Sequence, residues 1–183
     1  VDPFPHILGS DIAGIVVEVG AKVKQTSVGD RVVLSPNISC GQCNDCVNGY
    51  ENLCDSQKLI GFQTNGGYAE YVAVPSVNAV PIADDLDFSA AAAIPIAYLT
   101  AWHMLVTRAR IQPGEDVLIL SVGSGVGSAG LQIAKLSGCR VFATASSEKK
   151  LQAARQVGAD FTVNYTQNDF SQFVLDLTNG RGV

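Results

Sequence analysis

No apolar run in this sequence reaches the length of a bilayer-spanning helix, and no basic region followed by a short apolar core stands at its start. Neither a membrane span nor a secretory leader is expected. Cations are scarce, 12 Lys and Arg against 17 Asp and Glu for a net charge of −5, and both nucleic acid and anionic membrane surfaces need them clustered. The expected partners are therefore small molecules and other protein subunits, in a cytoplasmic setting. Histidine is nearly absent: His6 lies in an extended segment and His103 in the helical run Ala101-Trp102-His103-Met104-Leu105, each without a neighbouring ligand in sequence. Both are read as structural. Nothing between Gly9 and Pro81 repeats or is low in complexity. What remains, 183 residues of which 47% are hydrophobic, can bury one sizeable core or two small ones. The chain starts at Val1 without an initiator Met and stops in a loop, Gly180-Arg181-Gly182-Val183, so a fragment is expected.

Cysteine is concentrated in one place. Cys40, Cys43, Cys46 and Cys54 follow a C-x2-C-x2-C-x7-C spacing, which lets four thiolates converge on one tetrahedral ion, with Gly41 and Gly49 available for tight turns. The reading is a closed structural zinc site, with four sulfurs and no open coordination position. An iron-sulfur cluster, a disulfide pair or unrelated thiols are the rivals. The spacing is not the plant ferredoxin one, and the Cys-Pro ending of the bacterial cluster run is missing. Cys139 has no partner in sequence and reads as a small buried residue.

In chain order, two prolines keep Asp2 to His6 extended. Ile12 to Val19, Arg31 to Leu34, Gly66 to Val74 and Asn78 to Pro81 read as strands separated by glycine turns, which suggests a β-barrel or sandwich. Ser89 reads as the cap of a long apolar helix, Ala90 to Arg108, interrupted near Pro95. Then the pattern changes. Val117 to Leu120 is an apolar strand of the kind buried on both faces of a parallel sheet. The turn Gly123-Ser124-Gly125-Val126-Gly127-Ser128-Ala129-Gly130 follows, leading into a helix through Leu136, and a second strand covers Arg140 to Thr144. Strand, glycine turn and helix in that order open a dinucleotide-binding fold, so Ser124, Gly125, Val126 and Gly127 are expected at the pyrophosphate. A helix from Lys150 to Val157, a third strand from Phe161 to Val163 and a helix from Phe170 to Leu177 complete the pattern.

An NAD site normally places a carboxylate about 20 residues beyond the first glycine, to hold the ribose 2′-hydroxyl. Counting from Gly125 gives Ala145-Ser146-Ser147-Glu148-Lys149-Lys150. Hydroxyls and ammonium groups suit a 2′-phosphate, so NADP(H) is favoured, while Glu148 keeps NAD(H) open. The bland alternative is a helix cap, Ser146 or Ser147, followed by a solvated basic face.

The segments His6 to Gly20, Gly29-Asp30-Arg31-Val32, the cysteine lobe and Gly67-Tyr68-Ala69-Glu70-Tyr71 resemble the medium-chain dehydrogenase/reductase superfamily, and the resemblance runs through the chain. It implies an α/β protein with a β-rich domain: a partial GroES-like catalytic barrel over residues 1–88, with a structural zinc lobe at 40–54, then the first half of a Rossmann doubly wound parallel sheet over 89–183. Two departures bear on chemistry. Zinc alcohol dehydrogenases of the superfamily carry Gly-His-Glu where this chain has Gly9-Ser10-Asp11, and a Cys or acid where it has Ile96. A third ligand position falls upstream of Val1. Serine ligates zinc poorly and isoleucine not at all, so no catalytic zinc is expected. Leu99-Thr100-Ala101-Trp102 resembles a signature of the quinone oxidoreductase branch, which implies that Thr100 packs against the nicotinamide ring and that Ser146, Lys150 and Tyr165 surround the 2′-phosphate. By family position Ser10 and Asp11 border the cleft; no general acid is assigned.

The resemblance thus implies an NADPH-dependent oxidoreductase passing hydride to a quinone, enone or activated carbonyl compound, homo-oligomeric at full length. The alternatives are a zinc-dependent alcohol dehydrogenase using NAD(P) and a non-catalytic NADPH-binding protein comparable to the crystallins of this superfamily.

Overall fold

A computed structural model of the chain describes residues 4–183. Residues through Ile96 pack as one unit and Ala97–Val183 as another, and each is built on its own sheet. Of the extended entry, Asp2 and Pro3 lie outside the described residues.

In the first unit β1 (Ala13–Ile15) and β2 (Arg31–Leu34) pair antiparallel, Gly14 opposite Val32. The short β3 (Asn37–Ile38) leads to the cysteine lobe. The lobe holds α1 (Asn44–Val47) and a 3-10 turn at Glu51–Leu53, and β4 (Lys58–Leu59) returns from it antiparallel to β3. After β5 (Ala79–Pro81) adds to the far side of β2, the sheet order is β1-β2-β5. Val32, Val33 and Leu34 are all buried, as a central strand of apolar residues requires. Asn78 is buried beside them and satisfies its amide on the carbonyls of Ser35 and Asn37.

Two strand expectations are corrected. β1 stops at Ile15 rather than Val19; Val16 still donates to Asp30 O, but Ile15 and Val17 are exposed. Gly66 to Val74 is not a strand. Its first three residues donate to the carbonyls of Ile7, Gly9 and Leu8, and no ladder continues beyond them; Tyr68 and Tyr71 are 81% and 73% exposed. Alternation marks a chain able to lie in a sheet, but a strand needs a partner to bond.

The expected long helix is three pieces. α2 (Phe88–Ala92) is capped by Asp87, whose carboxylate accepts from Ser89 N and Ala90 N, so Ser89 is not the cap but the second helical residue. α3 (Ile94–Trp102) restarts around Pro95, and a π-helical turn, His103–Ala109, runs to Arg110 in the left-handed region.

The second unit follows the expected pattern closely. β6 (Asp116–Ile119), α4 (Gly125–Leu136), β7 (Arg140–Ala145), α5 (Glu148–Val157), β8 (Phe161–Asn164) and α6 (Phe170–Leu177) alternate, and the strands pair parallel in the order β6-β7-β8. β7, the middle strand, contributes Val141, Ala143 and Ala145 to a core completed by Val117, Ile119, Leu131 and Leu151. Cys139 is buried there too. Gly158, left-handed at φ 109°, ends α5. Among the described residues, no helix is long and apolar enough to cross a membrane.

Candidate functional site

The cysteine lobe brings its four thiols together by local geometry. β3 delivers Cys40, Cys43 is the N-cap of α1, Cys46 lies within α1, and the 3-10 turn ends at Cys54. All four Sγ atoms lie within 4.8 Å of one another, Cys43 to Cys46 at 3.4 Å and Cys40 to Cys46 at 3.9 Å, and none is disulfide-bonded. Tetrahedral zinc with bonds of about 2.3 Å needs sulfurs about 3.8 Å apart. The donor set and spacing fit one such ion, whereas an iron-sulfur cluster interposes its own atoms and needs the thiolates farther apart. A backbone amide favours the ionised form of Cys40: Cys43 N donates to its Sγ at 3.3 Å. Cys40 N in turn donates to Cys54 Sγ at 3.4 Å. Amide hydrogen bonds, first from Gln42 and then from Cys43, bring Cys40 down to about 6.

Elsewhere in the first unit, Ser10 is half-buried and its hydroxyl donates to Ile60 O at 2.7 Å. Ile60 is fully buried, so this bond satisfies a carbonyl that water cannot reach. Asp11 is exposed at the rim of a trough of about 980 Å³ lined by β1, β2 and the chain around Tyr71. Ile96 is half-buried and offers no donor atom. His6 Nε2 lies 3.2 Å from Gly61 O, a structural contact.

In the second unit a cavity of about 200 Å³ opens beyond the C-terminal ends of the three parallel strands. It is lined by Ser121, Gly123 and Ser124 after β6, Ala145 and Ser146 at the end of β7, Lys150 on α5, and Tyr165 after β8. Ligands of doubly wound sheets bind in this crevice. Ser124 is the N-cap of α4, its Oγ accepting from Gly127 N at 3.0 Å. The amides of Gly125 and Val126 have no backbone acceptor among the described residues, leaving two donors at the helix N-terminus for an anion. No carboxylate lines the cavity. Glu148 is turned to Arg155, Oε1 to Nη1 at 2.5 Å. Ser147, not Ser146, is the N-cap of α5, and its side chain makes no capping bond.

Four of the residues singled out from sequence, Ser124, Ser146, Lys150 and Tyr165, therefore line one cavity. Thr100 does not reach it; it is exposed on α3, whose Ala97 and Ala101 belong to the face packed against Ala129 and Ile133 of α4. Sequence reasoning passed over Ser121. Its backbone is left-handed at φ 53°, its amide donates to Thr144 Oγ1 and its carbonyl faces Gly127. The available signal was its place, one residue beyond an apolar strand and two before a glycine turn.

Residues 1–84 match the family described as alcohol dehydrogenase GroES-like domain, and residues 125–183 match zinc-binding dehydrogenase. An alcohol dehydrogenase of Geobacillus stearothermophilus is 39% identical over 179 residues, 97% of this chain and 52% of that protein. The solved structure of an NAD-dependent alcohol dehydrogenase superposes with a TM-score of 0.96 at 49% identity, over 99% of this chain and 53% of the other. A quinone oxidoreductase of Pseudomonas syringae superposes at 0.77 with 32% identity, over 97% and 47%. The chain spans about half the length of the relatives it matches. Two dehydrogenase family models thus match the two parts of the chain, which belongs to the medium-chain dehydrogenase/reductase superfamily.

Proposed function

We propose that the protein carrying this chain is an NADP(H)-dependent oxidoreductase that reduces a quinone, enone or activated carbonyl compound without a catalytic zinc, its one zinc being structural and held by Cys40, Cys43, Cys46 and Cys54. The observation that carries this reading is Ser10: it stands where resembling zinc enzymes have an imidazole, and its hydroxyl is committed to Ile60 O at 2.7 Å. Ile96 adds a second ligand position with no donor atom. Acceptors already activated by conjugation need less Lewis-acid polarisation than a simple ketone. When bound, the cofactor supplies hydride from nicotinamide C4. The chain's own residues bind and orient it: the free amides of Gly125 and Val126 meet the pyrophosphate, Ser146, Lys150 and Tyr165 hold the 2′-phosphate, and Thr100 packs against the nicotinamide. Ser10 and Asp11 border the substrate cleft, and the proton comes from solvent or from a residue outside this chain.

Support for NADP(H) over NAD(H) is the carboxylate-free cavity and the engagement of Glu148 with Arg155. The second reading, a zinc-dependent alcohol dehydrogenase using NAD(P), draws on the 49% identity to an NAD-dependent alcohol dehydrogenase. Metal analysis of the full-length protein separates the two. One zinc per chain, with NADPH-dependent turnover of enones or quinones, is expected; two zincs and alcohol oxidation with NAD would sink the proposal. One zinc and no turnover of any of these substrates would favour a non-catalytic nucleotide-binding protein.

A further inference from the structure

We propose that Gly123 is a specificity-determining positioning residue: the space left by its missing side chain is the seat for the stem of Lys150, and so fixes where the ammonium meets a nucleotide 2′-phosphate. This rests on the NADP(H) reading above. A Cβ built on Gly123 would stand 2.7 Å from Lys150 Cδ, 3.0 Å from its Cγ and 3.3 Å from its Cβ. These are stem atoms rather than the mobile tip, and the last is fixed by α5. The backbone conformation at this position does not demand glycine. Gly123 is not among the left-handed residues, and its three nearest neighbours all belong to Lys150.

The two other glycines of the turn have different tasks. A Cβ on Gly127 would strike backbone, Ser121 O at 2.5 Å and Val122 Cα at 2.9 Å, whereas one on Gly125 would meet only Ala97 Cβ at 3.7 Å. Gly127 thus sets how closely α4 approaches the turn after β6, Gly125 leaves open space, and Gly123 acts on a side chain. That side chain needs the help. Lys150 is exposed, and no carboxylate pairs with it among the described residues. Its stem has four rotatable bonds, and the contact with Gly123 is what holds it in the lining of the cavity that Ser146 and Tyr165 share. A methyl group at 123 forces the stem into another rotamer and moves the ammonium, leaving the amides of the turn in place.

The test is calorimetric titration of the 183-residue chain with adenosine 2′,5′-bisphosphate and with 5′-AMP, read as the ratio of the two affinities. Wild type is expected to favour the bisphosphate. Gly123→Ala should lower the ratio about tenfold, the scale of one lost charge-assisted hydrogen bond. Lys150→Met should lower it similarly, and adding Gly123→Ala to Lys150→Met should change it no further. No preference in wild type overturns the NADP(H) reading and this inference with it. A wild-type preference that survives Gly123→Ala overturns the inference alone, as does a further fall in the double variant, which would mean that Gly123 acts through the turn and not through the lysine. Should Gly123→Ala fail to fold, Lys150→Met decides: a ratio unchanged by it overturns the inference.

Discussion

A methyl group on Gly127 would lie 2.5 Å from a backbone oxygen that cannot move without shifting the end of β6, while the same group on Gly125 meets only a methyl at van der Waals distance. Gly127→Ala is therefore expected to cost about 1–3 kcal/mol of stability, the usual scale of overpacking. Gly125→Ala, at the first position of α4, should stay within about 1 kcal/mol of wild type. Urea unfolding of the two variants checks this, and equal losses would show that the turn, not the individual contact, sets the requirement. From sequence the glycines are equivalent members of one pattern. The contacts that distinguish them come from residues brought in by folding, Lys150 for Gly123 and Ser121 for Gly127. Ser146 and Lys150 were reached by counting along the chain from Gly125 and Tyr165 by family resemblance, and the fold brings all three to one cavity. Each sits at or just past a strand end, or in the helix turn after one, and in a parallel sheet those places share one edge.

Asp116 shows what an element gains from a pairing across the sheet. It lies opposite Arg140 in the β6–β7 register, its side chain is 3% exposed, and both carboxylate oxygens are met by Arg140, Nε to Oδ1 at 2.5 Å and Nη2 to Oδ2 at 2.8 Å; Arg181 bonds Oδ2 as well. The Arg140 guanidinium, itself near the stacked rings of Phe142 and Phe161, holds the Asp116 carboxyl below its ordinary range. A carboxylate with a depressed folded pKa stabilises the fold above its unfolded value of about 3.9, and that contribution is lost as pH falls through this value toward the folded one. Asp116→Asn should lower the melting temperature at neutral pH and flatten its fall between about pH 5 and pH 3. Melting curves of the two proteins across that window are the measurement, and parallel curves would remove Asp116 from the account. The αβ alternation was readable in detail because each strand is a short apolar run with a capped helix after it. Gly66 to Val74 was not, because its alternation is real and its bonding partner is absent among the described residues.

At the scale of the molecule the two candidate sites belong to different units and are held by different physics. The lobe around Cys40, Cys43, Cys46 and Cys54 has only short elements, α1, a 3-10 turn and the two-residue strands β3 and β4. The second unit has a buried sheet. Structural zinc contributes folding free energy directly where apolar burial is small. Chelation should release one zinc per chain and abolish amide-exchange protection across residues 40–54, while β6, β7 and β8 keep theirs. Loss of protection in the parallel sheet on chelation, or its retention in the lobe, would contradict this division. The cysteine spacing made the lobe legible in advance, since the ion's geometry is encoded in intervals along the chain. The breaks that turn one expected helix into α2, α3 and a π-helical turn were less so, since only Pro95 announces any of them.

β6 bonds to β7 on one side only, and among the described residues its other side meets no strand. The strand is short and apolar in its last three residues, Val117, Leu118 and Ile119, with no lysine or proline to discourage a neighbour. In colloidal terms, the isolated chain carries one line of unpaired backbone donors and acceptors, a template onto which a further strand, from the rest of the protein or from a second copy, can add. Concentration, as much as temperature, then limits how long the isolated chain stays dispersed.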